Sequence, residues 1–249
     1  MGIVVYIIRD EGKADNRSKI SKYFDDKSIQ VLIPEIKYKD ILTEGNLPQR
    51  HEAYQLGWCL TDARKKYEDK SILIVKDSSK CISSNHTISK ILKEIDRDKQ
   101  FHICYLGKWG DKCHLYSHRK RISSTDYDLV KTSNPQGLQA LVISPLGRDI
   151  ILGIEPMNNG EYFHGRGCIH ENLSSYIRKG NITAYCITPN LINYDLSLAL
   201  KDEDFLKINE CEPVVNKNNC RTGINRYVSV IVVIILLVII IAAAISVYP

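Results

Sequence analysis

Apolar residues fall along the chain in three kinds of run. Short β-branched blocks bounded by charge are the first: Ile3–Ile8 (IVVYII), Ser71–Val75 (SILIV), Phe101–Leu106 (FHICYL), Leu138–Ile143 (LQALVI) and Ile182–Ile187 each predict a buried strand. Between them the apolar spacing lengthens to three and four. Ala53, Leu56, Leu60, Ala63 and Tyr67 mark one face of an amphipathic helix within 49–67, with Arg64, Lys65 and Lys66 outside it. Helical spacing recurs over Asn16–Phe24, Thr87–Ile95 and Asn172–Lys179, the last closed by Gly180. Ser144 as N-cap, Pro145 at the first helical position and Gly153 as a stop frame another helix. Strand and helix alternating in this order predict an α/β domain with a largely parallel sheet and flanking helices.

The third kind of run is the tail. Tyr227 to Pro249 carries no charge, and Val228–Tyr248 is long enough to cross a bilayer core of about 30 Å as a helix. A buried core helix rarely lacks a polar face over such a length. Tyr227 and Tyr248 sit where interfacial aromatics would, and Lys217, Arg221 and Arg226 precede the span. The positive-inside rule then puts the N-terminal domain on the cytoplasmic side of a single-pass membrane protein. The expected organisation is an α/β domain over 1–200, a polar stalk over 201–226 and a C-terminal transmembrane anchor over 227–249.

Charge and cysteine change this picture little. The formal net charge of +5 is modest and no nucleic-acid motif is present, so a nucleic-acid partner is not expected. Arg9, Asp10 and Glu11 interrupt the first apolar run, which rules out a signal peptide there. The sequons at Asn16, Asn85, Asn172 and Asn181 then read as chance matches. The eight cysteines form no C-x-x-C pair and no spacing typical of zinc sites, and are expected to be mostly reduced, buried small hydrophobes.

In open α/β sheets ligands bind beyond the carboxyl ends of the strands. Here that means Arg9-Asp10, Lys76-Asp77-Ser78, Gly107-Lys108 and the segment Pro189–Asp195. The opening IVVYIIRDEGKADNRSKISKYF, the stretch HEAYQLGWCLTDARKKYEDKSILIVKDSS, and then FHICYLG, GLQALVISPLGRDIIL and TAYCITPNLINYD resemble, in order, elements of family-25 glycosyltransferases. This is the group of lipopolysaccharide and procollagen galactosyltransferases. The resemblance spans about 3–196 and implies a nucleotide-sugar-transferase-like (GT-A-like) fold. It also implies a UDP-sugar donor, Mn²⁺ or Mg²⁺ as cofactor, and Arg9, Asp10, Arg17 and Lys76 beside the nucleotide.

The departures bear on chemistry. Where the family carries adjacent acids for the metal, this chain reads Lys76-Asp77-Ser78, leaving Asp77 as the one carboxylate ligand. Losing a negative charge and gaining a positive one beside a dication costs several kcal/mol even at an effective ε of about 20. Lys76 has two readings, a phosphate clamp or a solvent-facing lysine at a strand end. The family's Ser-His pair is replaced by Thr61-Asp62, and Glu171 is the remaining candidate for a general base, or simply an acid favoured at a helix start.

Between Lys108 and Arg121, the cations Lys108, Lys112, His118, Arg119, Lys120 and Arg121 interleave with Trp109 and Tyr116, opposed in sequence only by Asp111. Such a cluster suits an anionic glycosaminoglycan, or is a solvated loop. With the anchor, it makes the chain similar to the poxvirus immunodominant envelope protein family. That resemblance implies a degenerate transferase fold on the exterior of a virion membrane, binding heparan sulfate in host-cell attachment. The competing expectation is a working metal-dependent transferase.

Overall fold

The computed structural model of the chain describes residues 2–10, 15–36, 47–98, 100–165, 168–195 and 211, without the side chains of 47–50. The first half holds β1 (Val4–Ile8), α1 (Arg17–Ser21), β2 (Gln30–Leu32), α2 (Leu47–Lys66), β3 (Ile72–Lys76), β4 (Ser79–Cys81) and α3 (Asn85–Arg97). The second holds β5 (Ile103–Trp109), β6 (Ser117–Arg121), β7 (Asp128–Lys131), β8 (Gln136–Ile143), α4 (Pro145–Ile151), α5 (Ile169–Arg178), β9 (Ala184–Thr188) and β10 (Ile192–Tyr194). The five apolar blocks are β1, β3, β5, β8 and β9, within two residues of their expected ends except that β5 runs on three residues past Leu106 to Trp109.

Successive side chains of a strand enter opposite faces, so a strand apolar throughout must be covered on both. β1 shows the consequence. Val4, Tyr6 and Ile8 pack with Leu56, Leu60 and Ala63 of α2 and Leu173 of α5. Val5 and Ile7 pack with Ile20 of α1, Phe24, and Ile88 and Ile91 of α3. The result is a three-layer α/β/α unit. Full burial of Leu60 is worth about 2–3 kcal/mol relative to exposure.

Eight strands form one sheet in the order β2-β1-β3-β8-β5-β9-β7-β6, and β4 pairs with β10 in a second, two-stranded one. β1 is parallel to β2 and β3, and β5 to β9; β8 is antiparallel to both neighbours, and so is β7. Six of the eight strands point one way, so the sheet is mostly parallel in direction, as expected. The reversed β8 at its centre corrects the expectation of uninterrupted strand–helix repeats. A parallel return requires a long crossover, and between β5 and β8 the chain carries a 3-10 turn and the β6–β7 hairpin but no α-helix.

Two close approaches fix the layers near the strand ends. The Ser144 hydroxyl caps α4 by accepting the Gly147 N–H at 3.0 Å, and a Cβ at Gly147 would lie 2.0 Å from the His102 carbonyl oxygen. A Cβ at Gly107 would lie 1.9 Å from the Ile192 carbonyl oxygen, so β10 rests directly on β5. Buried Arg148 donates to the Tyr67 and Glu68 carbonyls at 3.2 and 2.9 Å, satisfying the end of α2.

The chain divides into two compact units, Met1–Glu212 and Pro213–Pro249. Cys59, Cys81, Cys104, Cys168 and Cys186 are buried and outside any disulfide, as expected. Cys113 and Cys211 are joined in a disulfide, which corrects the reduced state expected of them. Cys211 also bridges to Asp111, so that point of the expected stalk belongs to the first unit. Among the described residues no helix is long and apolar enough to cross a membrane. The expected anchor, 227–249, lies outside the described residues, as does the rest of the stalk.

Candidate functional site

β1 and β3 end side by side, Ile8 opposite Lys76, which brings Arg9, Asp10, Lys76 and Asp77 to one corner of the sheet. Asp77 is 1% exposed. Its Oδ1 accepts the Asp10 N–H at 2.7 Å and its Oδ2 the Asn16 N–H at 3.3 Å. Its own N–H donates to the Ile8 carbonyl at 2.9 Å. The carboxylate thereby ties the segment after β1 onto β3. Burial pushes its pKa up, against the downward pull of those two N–H groups, and Asp10 and Asp15 add to the rise.

Among the other nucleotide candidates, Arg9 is exposed and the chain engages its backbone, while Arg17 is held through its side chain. Gln55 of α2 donates to the Arg9 carbonyl at 2.8 Å. Arg17 pairs with Asp15 at 2.6 Å and Glu35 at 2.9 Å, and donates to the Pro34 carbonyl at 3.2 Å. Thr61 donates back to the Gly57 carbonyl at 2.8 Å, while Asp62 accepts the Tyr6 hydroxyl at 2.9 Å. A Mg²⁺ or Mn²⁺ centre wants several oxygen ligands free to turn toward the ion. Here Asp77 has both oxygens committed to backbone donors, with an ammonium on the preceding residue. These residues do not fit a hard-cation centre.

Lys76 is not solvent-facing, and that reading is corrected. Its ammonium pairs with Glu52 of α2, the two side chains being 12% and 18% exposed. Glu52 Oε2 lies 3.7 Å from His170 Nδ1 on α5. Burial alone would raise the Glu52 carboxyl, but His170 and Lys76 outweigh it and hold it at about 2. His170 Nδ1 and Nε2 are in turn 3.0 and 3.3 Å from Cys168 Sγ. Cys168 is buried and Glu171 exposed, and Cys168, His170 and Glu171 present ligand atoms all within 4.8 Å of one another. Burial, first of all, pushes the Cys168 thiol up.

Lys76 and Glu171, far apart in sequence, thus join one group of contacts. Glu52, His170 and Cys168 are members that sequence reasoning missed. The signal was the spacing Cys168-x-His170-Glu171, three ligand types in four residues, which a search for C-x-x-C pairs passes over. Glu52 carries no local signal.

The basic stretch divides in two. Lys108 is 2% exposed, its ammonium 5.4 Å above the Tyr116 ring and its backbone bracketed by Asn190, so its placement on an exposed face is corrected. Lys112 is half-buried, and its N–H donates to buried Asp111 at 2.8 Å. His118, Arg119, Lys120 and Arg121 are all exposed on β6, an outer strand of the sheet rather than a loop. Asp111 is not their only counterweight. Arg119 lies 3.5 Å from Asp128, Lys120 4.0 Å from Asp98, and Arg121 3.0 Å from Asp126. His118 has φ 49 within a register shift between Ser117 and Lys120. Charge and irregularity of this kind also keep edge strands from pairing with other chains.

A cleft of about 640 Å³ opens between α1 and the β4–β10 pair, with Lys19, Tyr23, Lys80, Asn193 and Tyr194 in its wall. By sequence, no protein family and no curated protein matches the chain. Among solved structures it is similar to the apo form of UDP-glucose pyrophosphorylase, at TM-score 0.35 and 9% identity over 75% of this chain and 73% of that one. A likeness that loose transfers neither ligand nor chemistry.

Proposed function

We propose that the first unit is a glycosyltransferase-like α/β domain that has given up divalent-ion chemistry. Carried on a C-terminal membrane anchor, it binds anionic glycan of the heparan-sulfate type through β6, as an attachment protein on the exterior of a virion membrane. The observation that carries this reading is the sealing of Asp77, whose two oxygens hold the Asp10 and Asn16 N–H groups away from solvent. Without a divalent cation at that corner, and with Lys76 and Arg17 held by Glu52, Asp15 and Glu35, a sugar-nucleotide diphosphate lacks most of the positive charge it needs there. What stays open to a partner is the row His118–Arg121. Its pairs with Asp98, Asp126 and Asp128 are exposed on the cationic side and worth about 0–1 kcal/mol each, which a polysulfated chain can displace.

Heparin chromatography of the full chain in detergent tests the reading. Replacing Arg119, Lys120 and Arg121 with Ala is expected to lower the eluting salt concentration clearly; unchanged elution would remove β6 from the site. A second reading draws on the cleft between α1 and β4–β10, whose volume suits a small molecule and whose wall carries two lysines and two tyrosines. It makes the domain a transferase that still binds a UDP-sugar. UDP-sugar binding lost on Lys80→Ala would favour it.

A further inference from the structure

At the start of α5 three side chains of different donor type converge. Cys168 is the N-cap residue, yet its side chain makes no cap hydrogen bond. Its sulfur lies 3.0 Å from His170 Nδ1 and 3.3 Å from His170 Nε2. Bonds of about 2.3 Å to sulfur and about 2.0 Å to nitrogen at a tetrahedral angle put sulfur and a ring nitrogen about 3.5 Å apart, near the longer of these. The Glu171 carboxylate completes the triangle from the solvent side, all ligand atoms lying within 4.8 Å. We infer that Cys168, His170 and Glu171 form a site for a zinc-like divalent ion, with a fourth position left to water or a ligand.

The surroundings favour this. A metal-bound histidine ordinarily gives its other ring N–H to a carboxylate, which sets its tautomer and orientation. His170 Nδ1, 3.0 Å from the Cys168 sulfur, is also 3.7 Å from Glu52 Oε2, and Glu52 is itself held by Lys76. With the thiol deprotonated, the three acidic groups and the Lys76 ammonium leave a net −2, which one dication cancels. Lys76 does not repel the ion as a bare charge, because Glu52 stands against it. The sulfur and nitrogen donors select zinc or cobalt over magnesium or manganese, so this is not a displaced copy of a hard, all-oxygen centre.

Cobalt(II) makes the site visible. Titrated into the full chain in detergent without thiol reductant, it is expected to bind one per chain and give a near-ultraviolet thiolate-to-cobalt charge-transfer band. Zinc is expected to displace it. Cys168→Ser should abolish the band. Glu171→Ala, at an exposed position that does not threaten folding, should weaken cobalt binding at least tenfold with the band retained at saturation. Glu52→Gln should weaken it about ten- to a hundredfold, as loss of an orienting carboxylate does. No band in the unmodified chain, or a band that survives Cys168→Ser, would overturn the inference.

Discussion

At the carboxyl end of β3 one carboxylate is buried beneath backbone N–H groups; at the outer strand β6 of the same sheet four basic side chains stand in solvent. Both regions look functional as strings of charged residues, and the fold treats them oppositely. Buried charge has to be satisfied by the protein, and once satisfied it is committed to holding the chain together. Exposed charge is only loosely matched, by Asp98, Asp126 and Asp128, and remains exchangeable. Asp77 is thus committed to the architecture, while the charges of β6 face solvent, as the proposed glycan binding requires.

Substitutions sharpen the contrast, beginning with the largest effect. Asp77→Ala strands the Asp10 and Asn16 donors and should lower unfolding free energy by about 2–4 kcal/mol, measured by denaturant titration. Asp77→Asn, which keeps one acceptor oxygen, should lose about half as much. A change within about 0.5 kcal/mol for Asp77→Ala would mean the carboxylate is not structural.

Lys76→Met comes next. An exposed ion pair is worth about 0–1 kcal/mol, while breaking a fully buried one costs about 3–5. The Lys76–Glu52 pair is mostly but not wholly buried, so a loss of about 1–3 kcal/mol is expected between those limits. Glu52→Gln in the same background should recover part of it.

Acid stability follows from the same pair. The Glu52 carboxyl is held at about 2, below its ordinary 4.5, so its folded pKa is depressed. Its contribution is fully present above about pH 4.5 and is lost as pH falls toward 2. Asp77, shifted upward by burial, acts with the opposite sign and gains relative stability on protonation. Stability measured from pH 5 down to 2 should therefore fall less steeply in Glu52→Gln than in the unmodified chain; an identical slope would contradict the assignment.

The smallest effect on folding is expected at β6. Arg119, Lys120 and Arg121 replaced by Ala should alter stability by under about 1 kcal/mol, although three side chains change at once. A loss above about 2 kcal/mol would make β6 architectural too and erase the contrast.

The buried layers were legible because their cause is local. IVVYII, SILIV and LQALVI state burial on two faces, and Ser144-Pro145 states a helix start. β6 was not legible: Ser-His-Arg-Lys-Arg contains no apolar residue, and its strand state comes from pairing with β7. β4 and β10 are three residues each and exist through each other and through the close approach at Gly107. The corner at Asp77 was found from its place after a buried strand. Its sealing was hidden, because the two donors lie 67 and 61 residues away. Glu52 gave no sign of its partners for the same reason, and the Cys113–Cys211 bond spans 98 residues.

On the proposed function, the corner at Asp77 does not hold a metal and a sugar nucleotide together. Calorimetry of the full chain in detergent with UDP-sugars, with and without Mn²⁺, decides this. The expected result is that Mn²⁺ adds no binding heat for any UDP-sugar. Manganese-dependent UDP-sugar binding that disappears in Asp77→Asn, while that variant stays folded, would contradict it.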